Sequence, residues 1–179
     1  KPKRLRAGRA HRRAVLDELP VEHRPIAEQV LKGYFNNTEG TKAAFAGGWF
    51  HTGDMARRDE EGFFYIVDRK KDVIISGAEN VSSIEVEDVL FQHPEITEVA
   101  VIGIPDEKWG ELVTALVVTS PGSELTEADV IAFAKTKLAG YKCPKKVEFR
   151  DELARTATGK LQKFKLREPY WANLQRKVN

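Results

Sequence analysis

Five consecutive charges, Asp68-Arg69-Lys70-Lys71-Asp72, stand between two stretches rich in β-branched and aromatic residues. A run of this kind does not lie in an apolar core, because every buried charge needs a partner. The chain therefore divides there, into residues 28–68 and residues 69–179, after a basic flank over residues 1–27. In the first part, Thr38 offers a cap for a short helix through Phe45, which Gly47-Gly48 breaks. Asp59-Glu60-Glu61-Gly62 reads as a hairpin turn, and Phe63 to Val67 as a strand by aromatic and β-branched content.

The second part carries its own pattern. Val73-Ile74-Ile75 predicts a short strand running into a small-residue turn, Ser76-Gly77-Ala78. Ser82 and Glu85 have the spacing of a capping box, and Val86, Val89, Leu90 and His93 share one helical face before Pro94. Glu98 to Ile104 and Leu112 to Thr119 predict two strands. Ser123 or Thr126 starts a second helix to about Leu138, Lys146 to Phe149 forms a last strand, and a C-terminal helix follows from about Gln162. The order β-α-β-β-α-β predicts an α+β domain, with an antiparallel sheet and helices on one face.

Composition narrows the function. At 179 residues and 41% apolar content, the chain can bury one domain, or one domain and part of another. Its longest apolar stretch with glycine, Val99 to Ile104, is far shorter than the ~20 residues of a membrane span. The lone Cys143 excludes an internal disulfide and suits a reducing, cytoplasmic compartment. The four His and one Cys show no metal-ligand spacing, so no metal site is expected. Residues 1–25 hold eight Lys/Arg against three Asp/Glu, whereas the rest hold 21 against 24. That arm could meet an anionic partner, but an unstructured flank is the plainer reading.

Individual motifs are weak. In Arg155-Thr-Ala-Thr-Gly-Lys160, two hydroxyls, a glycine and a lysine could deliver a point charge to a phosphate or carboxylate. It is not a Walker loop, since Ala154 stands at the leading glycine and Leu161 at the Ser/Thr. Taken alone it is a solvated loop. In Thr52-Gly53-Asp54 the carboxylate could accept two hydroxyls of a ribose diol, or merely cap its own turn. Ser76 to Asn80 could pass a ligand chain close to the backbone, or simply turn into the next helix. Lys142, Lys145 and Lys146 could meet phosphates, or line a solvated edge. Trp109 could stack on a ligand or be half buried.

Their order and spacing say more. Gly48-Trp-Phe-His-Thr-Gly-Asp54, Gly62-Phe-Phe-Tyr-Ile-Val-Asp-Arg-Lys-Lys-Asp72, Ile75-Ser-Gly-Ala-Glu-Asn80 with Ile84-Glu-Val-Glu87, and Arg155 to Lys160 together resemble the C-terminal part of adenylate-forming acyl-CoA synthetases. Within that superfamily the match looks most like fatty-acid or related carboxylate–CoA ligases. The resemblance implies ATP with Mg2+, a carboxylic acid and CoA as substrates, and no prosthetic group. Asp54 then matches the ribose-binding aspartate, Arg69 the arginine beside the same nucleotide, and Asp68 the hinge. Gly77 and Ala78 match the loop lining the CoA pantetheine tunnel, and Lys160 the lysine at the reacting carboxylate and α-phosphate. Residues 28–68 become the end of a large N-terminal domain that is otherwise missing, and 69–179 a mobile lid. The fragment alone is expected to be inactive, with no membrane span and its oligomeric state open. Ala78 stands where a second glycine is usual, and Ala154 where proline is common. Two alternatives stay open: a piece of a peptide-synthetase adenylation domain, and an RNA-binding ferredoxin-like module with a basic arm. Against the second, no nucleic acid is expected, because Val99 to Ile104 lacks the aromatics that stack on bases.

Overall fold

The computed structural model describes residues 31–172, so the basic flank of residues 1–27 lies outside the described residues. The chain forms two compact units, divided between Lys70 and Lys71.

In the first unit, helix α1 (Thr38–Ala44) is capped by Asn37, not by Thr38. The Asn37 carboxamide oxygen accepts the Gly40 N–H at 2.8 Å, and Thr38 becomes the first helical residue. Asn37 wins because a cap must precede the first turn and accept from its free N–H groups. Two antiparallel strands follow, β1 (Asp54–Arg58) and β2 (Phe64–Arg69). The hairpin turn falls as read: Gly62 N–H donates to Asp59 O, and the Asp59 carboxylate takes both the Phe63 N–H and the Tyr65 hydroxyl. Strand β1 has no β-branched residue and so gave no signal; pairing with β2 makes it a strand.

The second unit runs β3 (Ile74–Ser76), β4 (Glu79–Val81), α2 (Ser83–Leu90), β5 (Ile96–Asp106), β6 (Gly110–Thr119), α3 (Glu127–Lys135), β7 (Lys146–Phe149) and α4 (Lys163–Trp171). The α+β class and the strand–helix order hold, with β4 as an extra strand. Strand β6 is central. It pairs antiparallel with β5 along its whole length, with β3 at Gly110, and parallel with β7 from Thr114 to Val117. The sheet is therefore mixed rather than antiparallel. Between β6 and β7 the chain crosses by way of α3, and such a crossover returns it in the same direction.

Both faces of the sheet are covered, which corrects the expectation of helices on one face. Val101, Val113, Ala115, Val117 and Val147 pack with Val86 and Leu90 of α2 and Val130 and Ala134 of α3. Ala100, Ile102, Ile104 and Leu116 pack with Leu153, Leu161 and, from α4, Leu166 and Tyr170. The near-continuous apolar runs of β5 and β6 are those of strands buried on both faces. Caps set the helix starts. Ser82 accepts the Glu85 N–H, while Thr126 and Asp129 form a reciprocal capping box.

The charge run is only partly exposed. Arg69, Lys70 and Lys71 are exposed, but Asp68 is 1% and Asp72 9% exposed. Asp72 pairs with the equally buried Arg167 of α4 at 2.9 Å, and Arg167 also donates to Lys71 O at 3.0 Å. A partner nearly a hundred residues away in sequence is what makes the burial affordable.

Candidate functional site

The lysine loop is a narrow hairpin rather than an open strand-to-helix turn. Gln162 N–H donates to Ala154 O, and Arg155 bridges Leu161. Inside it, Thr156 N–H donates to Lys160 O at 2.8 Å, Lys160 N–H to the Thr156 hydroxyl at 3.0 Å, and Gly159 N–H to Thr156 O at 2.9 Å. Gly159 has φ +81°, a conformation that glycine reaches without a Cβ penalty. Leu153 and Leu161, on either side, insert into the cluster under α4. The backbone is thus anchored, while the Lys160 side chain is exposed and joins no ion pair among the described residues.

Gly77 and Ala78 form the two-residue tip of the β3–β4 hairpin. Sequence alone read this stretch as a turn into a helix; the structure adds a strand. Both tip residues have positive φ, +59° and +67°, as a right-twisted two-residue hairpin demands. Gly77 N–H donates to Trp109 O at 2.8 Å, and a Cβ on Gly77 would lie 2.8 Å from the Trp109 ring. The half-buried Trp109 has the Lys108 and Lys145 ammonium groups over its faces, at 5.1 and 5.4 Å. The hairpin tip therefore sits at the Asp106–Gly110 end of the β5–β6 pair. The lysine loop is tied to Glu98, at the other end of β5, where Arg155 donates to the Glu98 carboxylate at 2.7 Å. Eight residues of extended chain separate Glu98 from Asp106, roughly 25 Å.

The remaining candidates belong to the first unit. Asp54 opens β1 and faces Arg69 of β2 in register, its carboxylate 3.4 Å from Arg69 Nε. The Thr52 hydroxyl accepts the Asp54 N–H at 3.1 Å. Asp68 is buried and accepts the Arg69 N–H at 2.7 Å. Asp54 and Arg69 are brought together; Gly77-Ala78 and Lys160 are held at opposite ends of one strand.

The lysines around Pro144 do not form a phosphate cluster. Lys142 is bound by Glu85 at 2.7 Å, and that hydrogen bond pushes its ammonium above the ordinary range. Lys146 is bound by Glu148 at 2.8 Å with the same effect. Burial pushes the Cys143 thiol up, which makes it a poor nucleophile. Glu98, the partner of Arg155, was missed: a lone glutamate in a strand, 57 residues away in sequence, carries no local signal. Among the described residues no group of three or more His, Cys, Asp or Glu could hold a metal ion, and no helix is long and apolar enough to cross a membrane. Neither face of the sheet is open for base stacking, which argues against the RNA-binding alternative.

Comparison with known proteins bears on the family of the chain. Residues 85–160 match the AMP-binding enzyme C-terminal domain. The chain is 50% identical over 145 residues to the long-chain-fatty-acid–CoA ligase FadD13 of Mycobacterium tuberculosis, covering 81% of this chain and 29% of the relative. It is 46% identical over 141 residues to a feruloyl-CoA synthase of an Amycolatopsis species, covering 79% of this chain and 29% of that one. Among solved structures, ATP-bound MatB of Rhodopseudomonas palustris superposes with a TM-score of 0.74 at 44% identity, covering 79% of this chain and 28% of that one. The chain is similar to the C-terminal part of adenylate-forming CoA synthetases, and spans under a third of the length of the curated relatives it matches.

Proposed function

We propose that a chain carrying the C-terminal domain of AMP-binding enzymes, as this one does over residues 85–160, is the C-terminal portion of an AMP-forming carboxylate–CoA ligase acting on a fatty acid. Residues 28–68 close a large N-terminal domain, and residues 69–179 form a lid that rotates about Asp68. The fatty acid is preferred because the relative at 50% identity is a long-chain-fatty-acid ligase, against 46% for the feruloyl enzyme. A reducing compartment such as the cytoplasm suits the single buried thiol.

The reaction has two steps. A carboxylate oxygen attacks the α-phosphorus of ATP and pyrophosphate leaves; the CoA thiolate then attacks the acyl carbon and AMP leaves. In the first step two anions approach, and the unpaired Lys160 ammonium offsets the charge that builds in the transition state. Magnesium arrives with the nucleotide as a substrate. Asp54 accepts the ribose hydroxyls, with Arg69 beside the same nucleotide. In the second step the narrow Gly77-Ala78 tip lines the path of the pantetheine arm.

The observation that carries this reading is the roughly 25 Å of β5 between the two loops. A single reaction centre meets one or the other, so the lid must turn between steps. The test is to join the chain behind the N-terminal region of a relative and assay each half-reaction. Lys160→Ala is expected to cut pyrophosphate exchange by ~10²–10³, the usual cost of one such charge, and to spare thioester formation from a supplied acyl-adenylate. Ala78→Trp is expected to do the reverse. Equal loss of both half-reactions in both variants overturns the two-loop reading.

A further inference from the structure

We infer that Arg155 is a positioning residue for Lys160, held in place by Glu98 at the edge of the sheet; this rests on the adenylation reading of Lys160 above. Among the described residues, strand β5 pairs in the sheet only with β6, so its other side is a sheet edge met by side chains rather than by a further strand. The segment carrying Lys160 is fastened there from two sides. Upstream, Arg155 Nη2 and Nε donate to one oxygen of Glu98, at 2.7 and 3.2 Å. Downstream, Lys163 meets Glu87 and the Ser83 hydroxyl at 2.7 Å each, and the same Glu87 oxygen accepts the Val101 N–H of the β5 edge at 2.7 Å.

The third guanidinium nitrogen carries the argument. Arg155 Nη1 donates to Gly159 O at 2.9 Å. That carbonyl belongs to the same peptide unit as the Lys160 N–H, which the Thr156 hydroxyl accepts at 3.0 Å. Both ends of the peptide entering Lys160 are therefore fixed, on a glycine that alone would leave the unit free to swing. The planar fork of arginine reaches a carboxylate and a carbonyl together, and lysine has no such geometry. The pair is too exposed to be a main source of stability: the two side chains are 43% and 34% accessible. Its effect is on aim. A catalytic cation displaced by about 1 Å loses up to ~10²-fold in rate.

Two measurements test this. In the 179-residue chain, Arg155→Lys and Glu98→Gln should speed hydrogen exchange of the Lys160 amide at least about tenfold, with amides of β5 and β6 unchanged, as expected for local opening. In the joined enzyme, Arg155→Lys should lower pyrophosphate exchange about 10- to 100-fold through kcat, with thioester formation from supplied adenylate preserved. Glu98→Gln, which keeps an oxygen acceptor, should fall between wild type and Glu98→Ala. If Lys160→Ala cripples pyrophosphate exchange while Arg155→Lys changes neither that rate nor Lys160 amide exchange, the positioning role is overturned and the lysine reading stands. If Lys160→Ala itself leaves pyrophosphate exchange intact, the adenylation reading fails, and the role of Arg155 fails with it. Equal loss of both half-reactions in Arg155→Lys, with faster exchange across the whole sheet, marks a merely structural residue and also overturns the proposal.

Discussion

Ala78 shows how one backbone angle sets which residues a hairpin tip tolerates. It holds φ +67° at the tip of the β3–β4 hairpin, a conformation that costs a non-glycine residue about 1 kcal/mol or more. Glycine there would remove that strain and add back ~0.5–1 kcal/mol of unfolded-state freedom. Ala78→Gly should therefore leave stability unchanged or raise it by up to about 1 kcal/mol in urea denaturation. Gly77 is the opposite case. A Cβ would meet the Trp109 ring at 2.8 Å, on top of a φ of +59°. Gly77→Ala should destabilise by about 2 kcal/mol or more, as overpacking and strain add. A stability ranking with Gly77→Ala above Ala78→Gly would contradict this account of the tip.

At the scale of elements, α4 does two jobs through polar contacts. Arg167 holds the first residues of the second unit by Asp72 and Lys71 O, with both side chains about nine-tenths buried. Removing one partner leaves a charge buried and unpaired, so Arg167→Met should cost ~3–5 kcal/mol in denaturant unfolding. Pairing it with Asp72→Leu should recover most of that loss. About one turn further along α4, Tyr170 donates to Glu148 of β7 at 2.6 Å, and Arg150 donates to both. Burial pulls the Glu148 carboxyl up, but hydrogen bonds from Lys146 and Tyr170 outweigh it and leave it below its ordinary 4.5. The Tyr170 hydroxyl is pushed above 10.0, by burial first and by Glu148 second. The signs follow from linkage. The Glu148 contribution is present above about pH 4.5 and is lost as pH falls through the lowered value; that of Tyr170 is present below about pH 10 and is lost as pH rises through the raised one. Tyr170→Phe should cost ~1 kcal/mol between those limits, and the difference from wild type should vanish at strongly alkaline pH. A difference that persists there would mean that the hydroxyl contributes by packing alone.

At the scale of the whole molecule, the two units differ in what they bury. Among the described residues of the first unit only Phe64 and Asp68 are buried, and α1 buries nothing. The second unit has two apolar clusters around one sheet. Limited proteolysis should cut at or before Lys70–Lys71 and leave a resistant product that starts near residue 71. Equal resistance of residues 31–60 would contradict this. The chain by itself should release no pyrophosphate from ATP, magnesium and a panel of fatty or aromatic acids. Adenylation depends on positioning, and one loop cation positions nothing unaided. Measurable turnover would overturn that expectation.

What the sequence determined by itself was local or ordered along the chain. Turn chemistry gave the Asp59–Gly62 hairpin, cap spacing gave the start of α2 and two candidate starts for α3, of which Thr126 is the cap, and β-branched runs gave β5 and β6. The order of four motifs was enough to point to a family and to Lys160, because each motif is contiguous. Tertiary structure alone decided what depends on distant partners. It turned Asp54–Arg58, without a β-branched residue, into a strand by giving it β2 to pair with. It buried Asp72 by bringing Arg167 from α4, and it covered the second face of the sheet with that same helix. It also tied Arg155 to Glu98 and set the two candidate loops at opposite ends of β5. A residue's propensity travels with its neighbours in sequence, but a charge's partner and a strand's two faces exist only once the chain has closed on itself.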